Sequence, residues 1–250
     1  MESETVSLVL PVHNEADNIE TVIRSFYREI GSRVHLQIVV AEDGSNDGTK
    51  EILNKLSQEI PMVVLTDDKR LGYTGGVIRG IYEATGEYVL FCDSDGQHIP
   101  SDFFEMYKEM KGYDMVDGWR ADRADTFFRR TMSSIFQALA RILFGLKALR
   151  DITAPYRLVR RDVAIRIANQ VKYMGESFWT EFTIRAAISG AKIKEIPVKH
   201  KLRLNGETVV YKPKRIPKIV YSQFKGILKL WIELKEKSDR LLISHGRPKL

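Results

Sequence analysis

Asp93 and Asp95 stand one residue apart in Asp93-Ser94-Asp95-Gly96-Gln97-His98, directly after the apolar run Tyr88-Val89-Leu90-Phe91-Cys92. Two carboxylates separated by a small serine and followed by a glycine can bend around one hard divalent ion, and Gln97 or His98 offers a further ligand. An ion held in this way typically clamps the phosphates of a nucleotide. Taken alone, the same six residues also fit an acidic Asp-Gly turn at the end of a strand. The loops elsewhere in the chain decide between the two.

Glu42-Asp43-Gly44-Ser45-Asn46-Asp47-Gly48-Thr49 repeats the arrangement after Leu36 to Ala41, and His13-Asn14-Glu15 closes the run Val6 to Val12. Each polar loop is followed by apolar residues at helical spacing, as in Ile19, Val22, Ile23, Phe26 and Ile30. Further helices are predicted over 50–59, 75–84 and 102–110, with a strand over 62–65. Strands separated by helices of roughly 10 to 15 residues predict right-handed β-α-β units and a mostly parallel sheet, so the fold class is α/β. In such a sheet the ligand crevice lies outside the carboxyl ends of the strands, where all three acidic loops fall.

Downstream, 114–120 reads as a strand ending in Arg120, and Arg129-Arg130 follows. An amphipathic helix is predicted over 132–149, then a polar loop through Asp151-Ile152-Thr153 to Arg157, a helix over 182–189 and a strand over 193–198. No internal repeat or low-complexity linker divides the chain, so residues 1–212 read as one catalytic domain and 213–250 as a basic amphipathic appendage. Residues 192–250 carry 16 Lys or Arg against 5 Asp or Glu, within a chain whose net charge is +6. A basic tail on a mildly acidic body predicts contact with an anionic surface. Ile216, Ile219, Val220, Ile227, Leu230, Trp231 and Leu234 recur at helical spacing there, and they are expected to lie on a membrane surface rather than on the sheet.

Several classes are excluded. With 250 residues, 44% of them hydrophobic and 29% charged, the chain has ample core for one large domain. The single Cys92 rules out a disulfide framework and points to a reducing, cytoplasmic location. The first strand begins by Val6, which leaves no room for a leader, and no stretch reaches the ~18 apolar residues of a membrane span. G-x-G-x-x-G is absent after the first strand, as are a G-x-x-x-x-G-K-[ST] loop and a nucleophile elbow. No nucleic-acid partner is expected.

Together, Pro11-Val12-His13-Asn14-Glu15, the 42–49 loop, Leu71-Gly72, Asp93 to His98, Asp151-Ile152-Thr153 and Arg157 resemble the family 2 glycosyltransferases, and among them the polyprenyl-phosphate (dolichol-phosphate) mannosyl- and glucosyltransferases. The resemblance covers about residues 5–210, and it implies a GT-A fold, a nucleoside-diphosphate sugar donor and Mn²⁺ or Mg²⁺. It further implies that Pro11, His13 and Glu15 line the nucleoside pocket, that Ala41 and Asp43 meet the base and ribose, and that Asp93, Asp95 and Gln97 carry metal and diphosphate. Ser94, Arg120 and Arg203 complete the candidate donor-binding set, and Asp95, Arg120 and Arg130 the candidate catalytic set. The sequence departs from the family pattern at Ala41-Glu42-Asp43, where paired aspartates are usual, at Gly118-Trp119, and at Ala154-Pro155-Tyr156.

A lipid monophosphate acceptor has a second pKa of about 6 and would need cations rather than a base. Arg120, Arg129, Arg130 and Arg203 are the candidates, since a guanidinium fork binds phosphate bidentately. The expected reaction is inverting transfer of mannose or glucose from a GDP- or UDP-sugar to a polyprenyl phosphate at the cytosolic face of a membrane. Two alternatives stay open at this point: a saccharide hydroxyl acceptor with Asp117 or Glu181 as base, and a non-catalytic sugar-nucleotide or membrane-binding module.

Overall fold

The computed structural model describes residues 5–67, 69–121, 127–201 and 216–244. Strands β1 (Thr5–Val12), β2 (His35–Glu42), β3 (Met62–Thr66) and β4 (Tyr88–Phe91) alternate with helices α1 (Ile19–Ile30), α2 (Thr49–Glu59) and α3 (Gly72–Glu83). After them come α4 (Asp102–Glu109), β5 (Met115–Arg120), α5 (Phe127–Leu143), β6 (Arg157–Arg160) and α6 (Arg161–Ala168). The chain then makes a single 3-10 turn at Gly175–Ser177 before α7 (Phe178–Ile188), β7 (Ile193–Val198) and α8 (Ile216–Ser244). The seven strands form one sheet in the order β3-β2-β1-β4-β6-β5-β7. All run parallel except β6, which is antiparallel to both its neighbours.

Strand alternation sends side chains to two separate layers. Val6, Leu8, Leu10, Leu90 and Val116 meet the apolar face of α1 together with α2 and α4, while Val9, Val39, Val89, Phe91 and Val159 meet α3, α6 and α7. Helix α3 lies close on β1 because Gly80 has no side chain; an added Cβ would collide with Val9 Cγ1. This two-sided cover buries the strands and leaves the loops at their carboxyl ends to face solvent.

The structure adds two elements that the sequence pattern hid, β6 and α6. β6 is four residues long and begins with a charged Arg157 that points inward, so no apolar run announces it. The amphipathic helix expected over 132–149 instead runs Phe127–Leu143, and the chain turns away at Gly145, where φ is +70°. α8 is also placed differently from expectation. Ile227 and Leu230 are buried, with Leu234 beside them, in a third apolar cluster formed with Phe136 and Ala140 of α5, Ile152, Met174, and Ile184 of α7. Gly226 lets the helix approach, since a Cβ there would meet the Tyr173 carbonyl oxygen at 2.8 Å. Glu233 completes the attachment by pairing with Arg185 at 3.3 Å and Lys172 at 3.0 Å. Ile227, Leu230 and Leu234 of the apolar stripe expected on a membrane therefore face protein, and a different face of α8 is open to solvent.

Candidate active site

Three loops meet at the carboxyl ends of β1, β2 and β4, and the first two are joined by side chains. Ser45 Oγ accepts from the Asn14 amide at 2.9 Å, Thr49 Oγ1 from the Glu15 amide at 3.0 Å, and Asp47 Oδ2 from the Ala16 amide at 3.1 Å. Asn14 Oδ1 accepts in return from the Asn46 amide at 3.0 Å. Asn14 adopts φ +55°, a region that asparagine tolerates better than other side chains. Much of the 42–49 motif thus serves to fasten one loop to another. His13 Nδ1 lies 2.8 Å from the Asp43 carbonyl, which can only accept, so that nitrogen carries the proton.

Asp43 is buried and its carboxylate engages the start of α3, accepting from the Leu71 amide, from the Gly72 amide at 2.9 Å and from Arg70 Nε at 3.4 Å. An acid at a helix N-terminus answers unpaired amides and the positive end of the dipole. Pro11 and Ala41 are register partners on β1 and β2, both buried beneath Gly76 of α3. They form the floor under that helix. Glu15 accepts from Asn18 Nδ2 at 2.8 Å.

The acidic turn follows β4. Ser94 Oγ donates to the Pro11 carbonyl at 3.0 Å, which ties the turn to the end of β1. Gly96 takes φ +77° to bring the chain round. Asp95 Oδ1 accepts from the Gln97 amide at 3.1 Å, and Gln97 Nε2 donates to the Lys201 carbonyl at 2.9 Å, which leaves Oε1 as the ligand atom of that side chain. Asp93 accepts from the Tyr73 hydroxyl at 2.8 Å. Burial and the neighbouring Asp95 push the Asp93 carboxyl up to about 7, although the Tyr73 bond and the positive charge of Arg120 act in the opposite direction. A divalent ion would relieve that repulsion. Among the described residues no group of three His, Cys, Asp or Glu side chains is arranged around a metal position. Two carboxylates and an amide oxygen nevertheless suit Mg²⁺ or Mn²⁺, which take hard oxygen ligands and commonly complete their shell with phosphate oxygens and water. Asp93, Asp95 and Gln97 are the residues that would hold the ion.

At the end of β5, Arg120 forms a forked pair with Asp151, Nε to Oδ2 at 2.8 Å and Nη2 to Oδ1 at 3.1 Å, and also donates to Thr153 Oγ1 at 2.9 Å. Arg157 is fully buried, bonded to the Ala154 carbonyl and to Thr183 Oγ1 at 2.8 Å, with Asp117 at 3.6 Å. Burial holds the Asp117 carboxyl up at about 7, against the pull of Arg157. Glu181 is fully buried too; it accepts from the amides of Lys172, Tyr173 and Met174 and pairs with Arg185 at 2.7 Å. Neither Asp117 nor Glu181 is open to a substrate hydroxyl. The side chains of Arg129 and Arg130, and the whole of Arg203, lie outside the described residues.

Two residues beside the acidic turn carried no assignment from the sequence. Tyr73 lies in the first turn of α3 and Trp179 in the first turn of α7, and only their packing brings them to Asp93.

The profile of Glycosyl transferase family 2 matches residues 7–168. An undecaprenyl-phosphate 4-deoxy-4-formamido-L-arabinose transferase of Edwardsiella ictaluri is 30% identical over 207 residues, 81% of this chain and 62% of that protein. A dolichol-phosphate mannosyltransferase of Pyrococcus furiosus is 28% identical over 212 residues, 81% of this chain and 58% of that protein. The chain thus spans less than two thirds of the length of either relative. Among solved structures, glucosyl-3-phosphoglycerate synthase from Mycobacterium tuberculosis, in complex with Mn²⁺, UDP-glucose and phosphoglyceric acid, superposes with a TM-score of 0.71 at 17% identity, covering 91% of this chain and 80% of that one. Mannosyl-3-phosphoglycerate synthase from Rubrobacter xylanophilus gives 0.65 at 18% identity, covering 98% of this chain and 76% of that one. These likenesses establish a GT-A-like fold.

Proposed function

The chain belongs to glycosyl transferase family 2, and from that premise we propose that it transfers a hexose, with inversion, from a GDP- or UDP-sugar to a polyprenyl phosphate at the cytosolic face of a membrane. The observation that carries the reading is the pair Asp93 and Asp95 at the carboxyl end of β4, next to loops locked together by Ser45, Asp47 and Thr49. A Mn²⁺ or Mg²⁺ ion bound there supplies Lewis-acid stabilisation of the leaving diphosphate. His13, Glu15 and the Asp43 segment border the nucleoside side, over the floor made by Pro11 and Ala41. Ser94 holds the acidic turn against β1, and Gln97 fixes its far end to Lys201.

The choice of a phosphate acceptor is supported by the activities for which the two relatives are named and by the state of the candidate bases. A phosphate whose second pKa is about 6 is largely ionised at neutral pH and needs no proton removed. Glu181 and Asp117 are sealed in the core, so a saccharide hydroxyl would find neither of them to take its proton. Arg129, Arg130 and Arg203 are proposed to meet the acceptor phosphate. Arg120, shared with Asp151, adds positive potential beside Asp93.

For the membrane, no helix among the described residues is long and apolar enough to cross one. The outer face of α8 is proposed to lie on it instead. Tyr221, Leu228 and Ile232 are exposed at 44–66% and recur at helical spacing on the face away from the buried Leu230, with Phe224 at their border against Phe136 of α5 and exposed Lys225 and Lys229 beside them. The deciding experiment is a transfer screen of GDP- and UDP-hexoses with and without a short polyprenyl phosphate, in EDTA and after adding Mn²⁺ or Mg²⁺. Metal-dependent transfer to the lipid phosphate is the expected result. Transfer to free sugars alone would favour the hydroxyl acceptor, and full activity of a metal-free Asp95→Ala protein would remove the central claim.

A further inference from the structure

We propose that Tyr73 is a positioning residue for the Asp93 carboxylate, with its phenol oriented by the indole of Trp179. The proposal rests on Asp93 being a metal ligand. The Tyr73 hydroxyl donates to Asp93 Oδ1 at 2.8 Å and accepts from Trp179 Nε1 at 2.6 Å. These two bonds have a fixed sense. An indole N–H can only donate, and the Asp93 carboxylate, ionised when it holds a cation, can only accept, so the single phenolic proton is then directed at Asp93.

The donor at the far end cannot turn away. Trp179 is 5% exposed, its ring centre lies 4.8 Å from both Phe91 and Phe178 and 5.6 Å from Phe182, and the Arg157 guanidinium sits 4.4 Å from it. The phenol is fixed from its own helix as well. Tyr73 follows Gly72, whose amide is held by Asp43, and precedes Thr74, whose Oγ1 donates 2.8 Å to the Gly175 carbonyl in the turn before α7. The first turn of α3 is therefore anchored both to the loop after β2 and to the segment that carries Trp179.

Without such a partner, a carboxylate at a strand tip can rotate through several orientations. Occupying Oδ1 with an immobile donor leaves the remaining lone pairs of Asp93 to a cation, and Asp95 likewise accepts from the Gln97 amide on its own Oδ1. Hydrogen bonds of this kind to ligating carboxylates typically carry ~10–100-fold in metal affinity.

Tyr73→Phe keeps the ring and deletes the hydroxyl, at a site 40% exposed where no cavity results. Free Mn²⁺ counted by its electron spin resonance signal, in the presence of UDP or GDP, should report affinity weakened by ~10-fold or more, with the melting temperature within about 2 °C of the wild type. Trp179→Phe should weaken Mn²⁺ less. The double variant should be no weaker than Tyr73→Phe, because the indole acts only through the phenol. Wild-type Mn²⁺ affinity in Tyr73→Phe overturns the proposal, and so do effects that add in the double variant. Either single variant is informative if the other fails to fold. Asp93→Asn, which should lose the ion, separates this from failure of the metal reading: an Asp93→Asn protein that binds Mn²⁺ normally sinks both.

Discussion

Arg120 and Asp151 are joined along both arms of the guanidinium fork, at 2.8 and 3.1 Å, with side chains only 11% and 7% exposed. Asp151 is itself placed by Glu195, whose carboxylate accepts from the amides of Arg150 and Asp151 at 2.6 and 2.7 Å. A buried acid deprived of its partner is costly, so Arg120→Ala should lower the unfolding free energy by about 3 kcal/mol. Lysine cannot reproduce a fork, and Arg120→Lys should recover only part of the loss. Urea denaturation measures both. If Arg120→Ala raised the acceptor's Michaelis constant and left stability untouched, the arginine would be a direct phosphate ligand and not mainly the partner of Asp151.

The bond from the Ala16 amide to Asp47 links the first two loops, and Asp47 also accepts from the amide and hydroxyl of Thr49. Asp47→Ala removes the side chain that answers the first turn of α2, a loss of about 1 kcal/mol. It also frees the loop that carries His13 and Glu15. The expected outcome is UDP or GDP affinity reduced several-fold with Mn²⁺ binding in the diphosphate's absence unchanged, checked by titration calorimetry. Unaltered nucleotide affinity would mean that the other cross-loop bonds suffice.

These loops show what a sequence makes legible. The motif residues 42–49 and 93–98 could be placed at strand ends because each follows a short apolar run, and periodicity supplied α1 to α4 and β1 to β5. It failed where a charged residue faces inward. Arg157 opens β6 and is buried against Thr183 and Trp179, so a strand with polar ends looked like a loop. Glu181 looked like a free acid at a helix start, yet three backbone amides and Arg185 consume it. In α8 the periodicity was real, but two apolar stripes share one helix and spacing alone cannot say which of them meets the protein.

The pH dependence follows from Asp93, raised to about 7 by burial and by Asp95, against about 3.9 in an unfolded chain. Because the folded value is the higher one, the metal-free fold retains a proton that the unfolded chain has already released. That contribution to stability is present at acid pH and is lost as pH rises through about 7. Asp117, raised to about 7 by burial, adds the same slope. Metal replaces the proton on Asp93 only. Mn²⁺ with nucleotide should therefore raise the melting temperature more at about pH 8 than at about pH 5.5. An equal shift at both would place Asp93 outside the metal site.

Two substitutions on one helix separate packing from membrane contact. Leu230 is fully buried between α5 and α7, whereas Leu228, two residues earlier, is 56% exposed on the opposite face. Leu230→Glu would put a charge into that cluster and should unfold the third layer, with loss of several kcal/mol. Removal of α8 altogether should do the same, since Met174 and Ile184 would lose their cover and Arg185 its Glu233. Leu228→Glu touches no core. It places an acid between Lys225 and Lys229 in the stripe proposed to meet lipid, and it should leave the melting temperature within about 2 °C of the wild type. Sedimentation with vesicles containing anionic lipid should show wild-type binding that weakens with added salt, and little binding by Leu228→Glu at any salt concentration. Transfer to a short, soluble polyprenyl phosphate should survive the substitution, because the acidic turn after β4 is untouched. If Leu228→Glu sediments with vesicles as the wild type does, the outer stripe of α8 is not the membrane face.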